Sequence, residues 1–271
     1  MIDIEKLSAS MPKSKHEYLG NDGLLHCQKC GEPLEVIINP MGLGERKVRC
    51  ICECMRKARD AAAEQGKRDE IDRNRRICFG GSSLMSCTFE NSNETEHLKI
   101  AKNYAKQFPE FRKQGKGLLL YGTVGTGKSH MAACIANDLI DQGRKVLMTN
   151  FATMVNIIQS SFSGRQEYID SLNRYSLLII DDLGAERKSE FMQEQVFNII
   201  DARYRSGKPM IITTNLTAEE MKKPSEIGQG RIYDRILERC HPVEVKGQSI
   251  RREHLKGDFW QTEKILKGER L

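Results

Sequence analysis

Eight consecutive residues carry the clearest chemistry in the chain, Gly122-Thr123-Val124-Gly125-Thr126-Gly127-Lys128-Ser129. Glycines let a loop take positive φ and bring backbone N–H groups close to an anion, and a helix starting at the end of the loop adds its partial positive charge. With this spacing Lys128 is expected to reach the β- and γ-phosphates of a nucleotide, and the Ser129 hydroxyl to take one position on Mg2+. A second group is acidic. Leu177-Leu178-Ile179-Ile180 reads as a strand buried on both faces and delivers Asp181 and Asp182 at its end. Buried carboxylates there are costly unless a metal or a polarised water uses them. Asp181 is therefore expected to hold Mg2+, and Asp182 to orient or deprotonate an attacking water. Many sites of this type place glutamate at the second position; the shorter carboxylate leaves the hydrolysis rate open, and slow turnover would suit a switch.

Two further groups follow the same logic. Asn215 closes the run Met210-Ile211-Ile212-Thr213-Thr214, where a neutral amide contacts a γ-phosphate or the water without adding charge. Arg231, Arg235 and Arg239 lie at i, i+4 and i+8, which lines them along one helical face. They are either a solvent-facing stripe paired with Asp234 and Glu238, or the source of an arginine that reaches a neighbouring subunit's γ-phosphate.

Cysteines form a separate constellation. Of nine, five fall at Cys27, Cys30, Cys50, Cys52 and Cys54, as C-x2-C followed by C-x-C-x-C. Two thiolate pairs on tight turns, joined by a hairpin, build a closed tetrahedral Zn2+ site. Cys27, Cys30, Cys52 and Cys54 are the first choice, Cys50 is the alternative ligand, and His26 and His16 are weaker candidates. Four protein ligands leave no open position, so the role is structural.

The elements that must position these groups can be read around them. Val36-Ile37-Ile38 and Arg46-Lys47-Val48-Arg49 flank a Pro/Gly turn and predict the hairpin between the cysteine pairs. Residues 55–76 hold eight Lys/Arg and five Asp/Glu around Ala61-Ala62-Ala63, which favours an exposed helix or helical linker. Residues 97–111 carry Leu98, Ala101, Tyr104, Ala105 and Phe108 at helical spacing and predict one helix before the first strand. Strand and helix then alternate through residues 118–215, with helical stretches at 151–162, 165–173 and 191–204, which implies an α/β fold with a parallel sheet flanked by helices. A last strand is expected at Val243-Glu244-Val245. The domains read as 1–75, a zinc-binding module with a helical linker, 76–255, a nucleotide-binding domain, and 256–271, a polar tail.

Composition sets bounds on this reading. The 271 residues are 39% hydrophobic and 30% charged, enough for a packed core, with a formal net charge of +6 that is compatible with nucleic acid. Neither a signal-peptide pattern nor an apolar run of about 18 residues is present, so a cytoplasmic protein with no membrane segment is expected. Without a secretion signal, thiols or metal ligands are expected before disulfides.

Taken together, residues 122–129, the Asp-Asp-Leu at 181–183, Thr213-Thr214-Asn215 and Arg231-Ile232-Tyr233-Asp234-Arg235 resemble the AAA+ ATPases of the DnaC/DnaI helicase-loader group, and are also similar to the IstB transposition ATPases. The resemblance covers roughly residues 85–255. It implies an AAA+ P-loop fold, ATP hydrolysis, self-assembly through the ATP site, a DnaB-type replicative helicase and single-stranded DNA as partners, and loading of that helicase during replication initiation. The alternative it implies is a transposition helper that binds DNA and recruits a transposase. The N-terminal cysteines favour the loader side, whose DnaI-like branch carries a zinc-containing helicase-binding domain. By the same resemblance Arg235 matches an arginine finger, Asn215 matches sensor 1, and Arg251 matches sensor 2, with Arg252 open as the substitute. Residues 151–173 match helices that line a single-stranded DNA channel.

Overall fold

The structure is a computed structural model that describes residues 16–160, 164–184, 190–224, 227–247, 249, 259–260 and 262–268. It divides into two compact units, Met1–Glu70 and Ile71–Leu271. The division falls within one long helix, whose residues from Ile71 onward belong to the second unit.

In the first unit, β1 (Glu17–Leu19) pairs antiparallel with β2 (Leu25–Cys27), and β3 (Glu35–Ile38) pairs antiparallel with β4 (Arg46–Arg49), the hairpin expected between the cysteine pairs. Its core is minute, made of Cys27, Leu34 and Cys52 with Leu25 and Cys54 against it. The two hairpins are tied by a bidentate ion pair in which Arg49 Nη1 and Nη2 donate to Glu17 Oε1 and Oε2 at 2.8 and 3.0 Å. Both side chains are largely shielded from water, so this geometry contributes more than an exposed pair does.

Helix α1 (Glu53–Phe79) follows, longer than the predicted 55–76. Only its last residues, Cys78 and Phe79, are buried, while residues 55–70 are exposed on all sides, as their charge content requires. At its C-terminal end Arg75 donates to Asn137 Oδ1 at 3.0 Å and to Asp141, and Ile71 packs on the core of the second unit.

The second unit is a three-layer α/β structure. Its elements are α2 (Glu96–Lys106), α3 (Phe108–Gln114), β5 (Gly117–Tyr121), α4 (Lys128–Asp141), β6 (Val146–Asn150), α5 (Phe151–Ser160), α6 (Arg165–Leu172), β7 (Leu177–Leu183), α7 (Glu190–Arg205), β8 (Met210–Thr214), α8 (Ala218–Lys222), α9 (Ile227–Arg239) and β9 (Cys240–Glu244). The single helix expected over 97–111 is broken in two at Gln107, because Pro109 has no N–H to donate and occupies the first turn of a new helix. The last strand begins three residues earlier than expected.

All five strands run parallel in the order β6-β7-β8-β5-β9. Alternation along each strand splits the core between the two faces. Leu118, Leu120, Leu177, Ile179 and Ile211 pack under α2 and α4, whereas Leu119, Leu178, Ile180, Met210 and Ile212 pack under α5, α7 and α9. One cation is built into the second face. Arg203 of α7 is 1% exposed and donates to the carbonyls of Leu172, Tyr175, Ser176 and Pro209, joining the segments that enter β7 and β8. Among the described residues no helix is long and apolar enough to cross a membrane.

Candidate nucleotide and metal sites

The strand order explains how groups far apart in sequence meet. β8 lies between β7 and β5, so the C-terminal ends of three neighbouring strands present Asp181 and Asp182, Asn215, and the glycine loop. That is the edge where α/β sheets bind ligands.

The loop has the backbone its glycines allow. Gly125 and Gly127 sit at φ 87° and 96°, and Gly127 is the N-cap of α4, which starts at Lys128. A side chain at Gly125 would also collide with Ser249. Lys128 is 7% exposed, and its ammonium donates to the Gly122 and Thr123 carbonyls at 2.9 and 2.8 Å and to Asn215 Oδ1 at 2.8 Å. The Asn215 amide donates in turn to Asp182 Oδ1 at 2.8 Å, and Ser129 Oγ donates to Asp181 Oδ1 at 2.8 Å. Lys128, Ser129, Asp181, Asp182 and Asn215 are thus one connected network around the loop. The donor set fits a nucleotide with Mg2+: backbone N–H groups at a helix N-terminus, a buried ammonium, and a hydroxyl beside a carboxylate. Thr123 and Val124 are exposed on the loop, and Thr126 Oγ1 turns inward to donate to the Thr123 carbonyl at 3.0 Å.

Two details of the carboxylates differ from the expectation. They are not buried, since Asp181 is half-buried and Asp182 exposed. Nor do they stand beyond the strand end. β7 runs on to Leu183, and pairing passes from Ile180 with Ile212 to Leu183 with Thr214, so β7 carries one extra residue as a bulge. Asp182 takes φ 61° there, and no other non-glycine described residue has positive φ. Such a conformation persists only where its surroundings enforce it. Here β8 enforces it. Thr213 Oγ1 accepts the Asp182 N–H at 2.9 Å and donates to Asp181 Oδ1 at 2.5 Å, and Thr214 Oγ1 donates to the Leu183 carbonyl at 2.7 Å.

Thr213 is the site residue that sequence reasoning missed. The available signal was a hydroxyl inside a strand otherwise buried throughout.

Arg235 is placed away from these groups, on α9. Its Nε donates to Asp201 Oδ1 of α7 at 2.8 Å and its guanidinium lies 4.7 Å from the Phe197 ring centroid. The partner is therefore on a neighbouring helix, whereas the stripe reading paired it with Asp234 and Glu238. Arg239 turns instead to the Tyr204 ring, 4.8 Å away, and Arg231 is exposed. Arg251 and Arg252 lie outside the described residues.

In the first unit the sulfurs of Cys27, Cys30, Cys52 and Cys54 all lie within 4.8 Å of one another. Four thiolates on a zinc ion with Zn–S of about 2.3 Å would stand about 3.8 Å apart, so the set fits that ion. Thiol hydrogen bonds join Cys54 to Cys52 at 3.2 Å and to Cys27 at 3.5 Å. The Cys30 and Lys29 backbone N–H groups pull the Cys27 thiol down to about 6, while hydrogen bonding with Cys52, reinforced by burial, pushes Cys54 up to about 12. A bound dication favours the thiolate form of its sulfur ligands and replaces the thiol protons that Cys54 now shares with its neighbours. Cys50 stays outside this group and donates to the Pro33 carbonyl at 3.3 Å. The His26 ring is engaged by Asp22 and the Gly31 carbonyl, bracing the knuckle turn.

Comparison with known proteins bears on the second unit. The chain is 31% identical over 157 residues to the replicative helicase loader DnaC of Escherichia coli K12, covering 56% of this chain and 63% of the relative. It is 25% identical over 185 residues to the replicative helicase loader DnaI of Bacillus subtilis, covering 62% and 59%. The chain thus spans about three-fifths of the length of these curated relatives. Among solved structures, the crystal structure of DnaI superposes with a TM-score of 0.54 at 22% identity, over 65% of this chain and 98% of that one. The DnaC helicase loader gives 0.53 at 22% identity, over 61% and 100%. These likenesses show the AAA+ P-loop fold. The profile of the family described as IstB-like ATP binding protein matches residues 83–257, which contain the glycine loop, both aspartates and Asn215, and on that match, over more than half of its length, the chain belongs to the IstB-like ATP-binding family.

Proposed function

We propose that the protein is an ATP-dependent loader of a hexameric replicative DNA helicase onto single-stranded DNA, acting in the cytoplasm. The observation that carries this reading is the pairing, in one chain, of a loader-like nucleotide site with a separate four-cysteine module that has no place in nucleotide chemistry. The sequence similarity to proteins named replicative helicase loaders supports it.

Bound ATP with Mg2+ supplies the phosphoryl group and the charge that activates its transfer. Lys128 and the loop N–H groups bind the phosphates, Ser129 and Asp181 hold the metal's position, and Asp182 accepts a proton from the attacking water. Asn215 bridges Lys128 and Asp182, accepting from the ammonium through Oδ1 and donating to the carboxylate through Nδ2, which holds the phosphate-binding and water-activating groups in register. Slow, partner-regulated hydrolysis is part of this reading. Arg235 completes a neighbouring subunit's site in a head-to-tail assembly, and Arg251 acts as sensor 2. Cys27, Cys30, Cys52 and Cys54 hold a structural Zn2+ that shapes the surface gripping the helicase. Residues 1–75 are that module with its linker, 76–255 the ATPase domain and 256–271 a polar tail.

The test is capture of a purified DnaB-type hexamer by the full chain and by a chain lacking residues 1–70. The cut is placed there because Ile71 and Arg75 belong to the second unit's packing. The loader reading expects ATP-dependent capture that disappears with the module while nucleotide binding stays. Capture of a transposase with preference for duplex DNA, and of no helicase, would instead identify a transposition helper.

A further inference from the structure

At the edge of the sheet opposite the nucleotide, each strand is entered through a cation. Lys145 precedes β6, Arg174 β7, Lys208 β8, Lys116 β5 and Arg239 β9, and Arg112 of α3 stands beside Lys208. The connections 115–116, 142–145, 173–176 and 206–209 contain no Asp or Glu. Among the described residues none of these six cations forms an ion pair, although several are firmly held. Lys116 Nζ donates to the Glu238 carbonyl at 2.6 Å, Lys208 Nζ donates to the Asn173 carbonyl at 2.5 Å, and Arg239 packs on Tyr204. Carbonyls and rings orient a cation without cancelling its charge. The Glu238 carboxylate, beside Arg239 in the chain, accepts from the neutral Tyr204 hydroxyl at 2.9 Å and forms no ion pair with these cations. Arg203 lies buried beneath, also bound only to carbonyls, and adds to the field felt by Lys208, whose own charge is disfavoured first by burial and then by Arg203 and Arg112. Two buried polar atoms at this edge, Arg239 Nε and Asn173 Oδ1, have no hydrogen-bond partner among the described residues.

Like charges gathered in excess of their counter-ions destabilise a fold unless a polyanion meets them. Five strands at about 4.8 Å spacing make a row about 19 Å long, which spans about six phosphates at the 3.4 Å rise of one nucleic-acid strand. We infer that this strand-entry edge is a binding surface for the phosphodiester backbone of DNA, at the far end of the sheet from the ATP site. The inference rests on the loader reading for its choice of DNA, and it locates the contact outside residues 151–173.

The experiment is fluorescence anisotropy with a labelled single-stranded oligonucleotide and a duplex of equal length, titrated with salt. The full chain carrying Arg112→Gln, Lys145→Gln and Arg174→Gln is compared with wild type and with Lys99→Gln, Lys102→Gln and Lys106→Gln on α2, which removes equal charge elsewhere. All six positions are exposed, and none belongs to the nucleotide site. Loss of three phosphate contacts lowers the slope of log K against log salt by about 2 and weakens binding roughly tenfold or more at ~0.1 M salt, with the α2 variant near wild type. The larger loss with single strand or duplex identifies the form bound. An unchanged slope, equal loss in both triple variants, or no DNA binding by wild type overturns the inference. Helicase capture is read in parallel. If it fails while the edge variant loses DNA binding, the loader reading falls and the edge stands; capture with undiminished DNA binding overturns the edge alone.

Discussion

Thr213 holds a position that neither aspartate could keep alone. Its hydroxyl receives the backbone N–H of the left-handed Asp182 and gives its proton to the Asp181 carboxylate, which also accepts from Ser129. A single oxygen therefore orients the Asp181 carboxylate and fixes the backbone of Asp182. Thr213→Val keeps the shape and removes both bonds, leaving Asp182's N–H unpaired at about 1–3 kcal/mol. Hydrolysis should fall about 10- to 100-fold and require more Mg2+, with Mg2+-free nucleotide affinity nearly unchanged. Thr213→Ser should recover most of the rate. Steady-state hydrolysis against Mg2+ concentration checks this, and a Val variant with wild-type rate and Mg2+ dependence would remove Thr213 from the site. Asp181, Asp182 and Asn215 are legible in sequence because each ends an apolar run. Thr213 is not, because its partners lie 31 and 32 residues away across a strand pairing.

The hairpins carrying the cysteines show how little apolar packing supports them. A core of Cys27, Leu34 and Cys52 cannot offset the conformational entropy of some 35 ordered residues at about 1–2 kcal/mol each. The Glu17–Arg49 pair adds a tie, but the four convergent sulfurs are the only cluster among the described residues suited to a strong cross-link. Chelation at neutral pH should therefore unfold this unit while leaving ATP binding intact. Metal analysis of gently purified protein should find about one zinc per chain, and amide NMR should show residues 17–54 losing dispersion on chelation. A module that stays dispersed with no metal bound would exclude the ion. The C-x2-C and C-x-C spacing made the ligand type readable and put Cys27, Cys30, Cys52 and Cys54 first; the fold gathers those four and sets the alternative apart by turning Cys50 to Pro33.

Across the molecule, the glycine-loop network lies in the second unit and the four-cysteine cluster in the first, and Arg235 of α9 pairs outside that network. Arg235 is held by Asp201 and Phe197 on α7, which fixes its direction on the chain surface. A site shared between copies makes a distinctive prediction. Lys128→Ala and Arg235→Ala should each abolish assembly-dependent hydrolysis, the arginine by about a thousandfold or more, with nucleotide binding kept in the second. Mixing the two variants creates interfaces that join an intact loop to an intact arginine, so activity should partly return. Asp201→Asn, which only loosens the guanidinium, should stay active. No recovery on mixing, or full activity of Arg235→Ala under assembling conditions, would show that the arginine serves the α7–α9 packing alone.

What residue order alone determined was local. Glycines where positive φ is needed, apolar runs that must be buried, and thiols at turn spacing announce a phosphate loop, strands and a metal knuckle, because each depends on residues within a few positions. Tertiary structure decided everything that depends on strand order. Placing β8 between β7 and β5 brought Thr213 onto both aspartates and Asn215 between Lys128 and Asp182, and it aligned the cations of five separate connections along one edge. Such contacts are set by which strands lie side by side, and no periodicity within a strand encodes its neighbour.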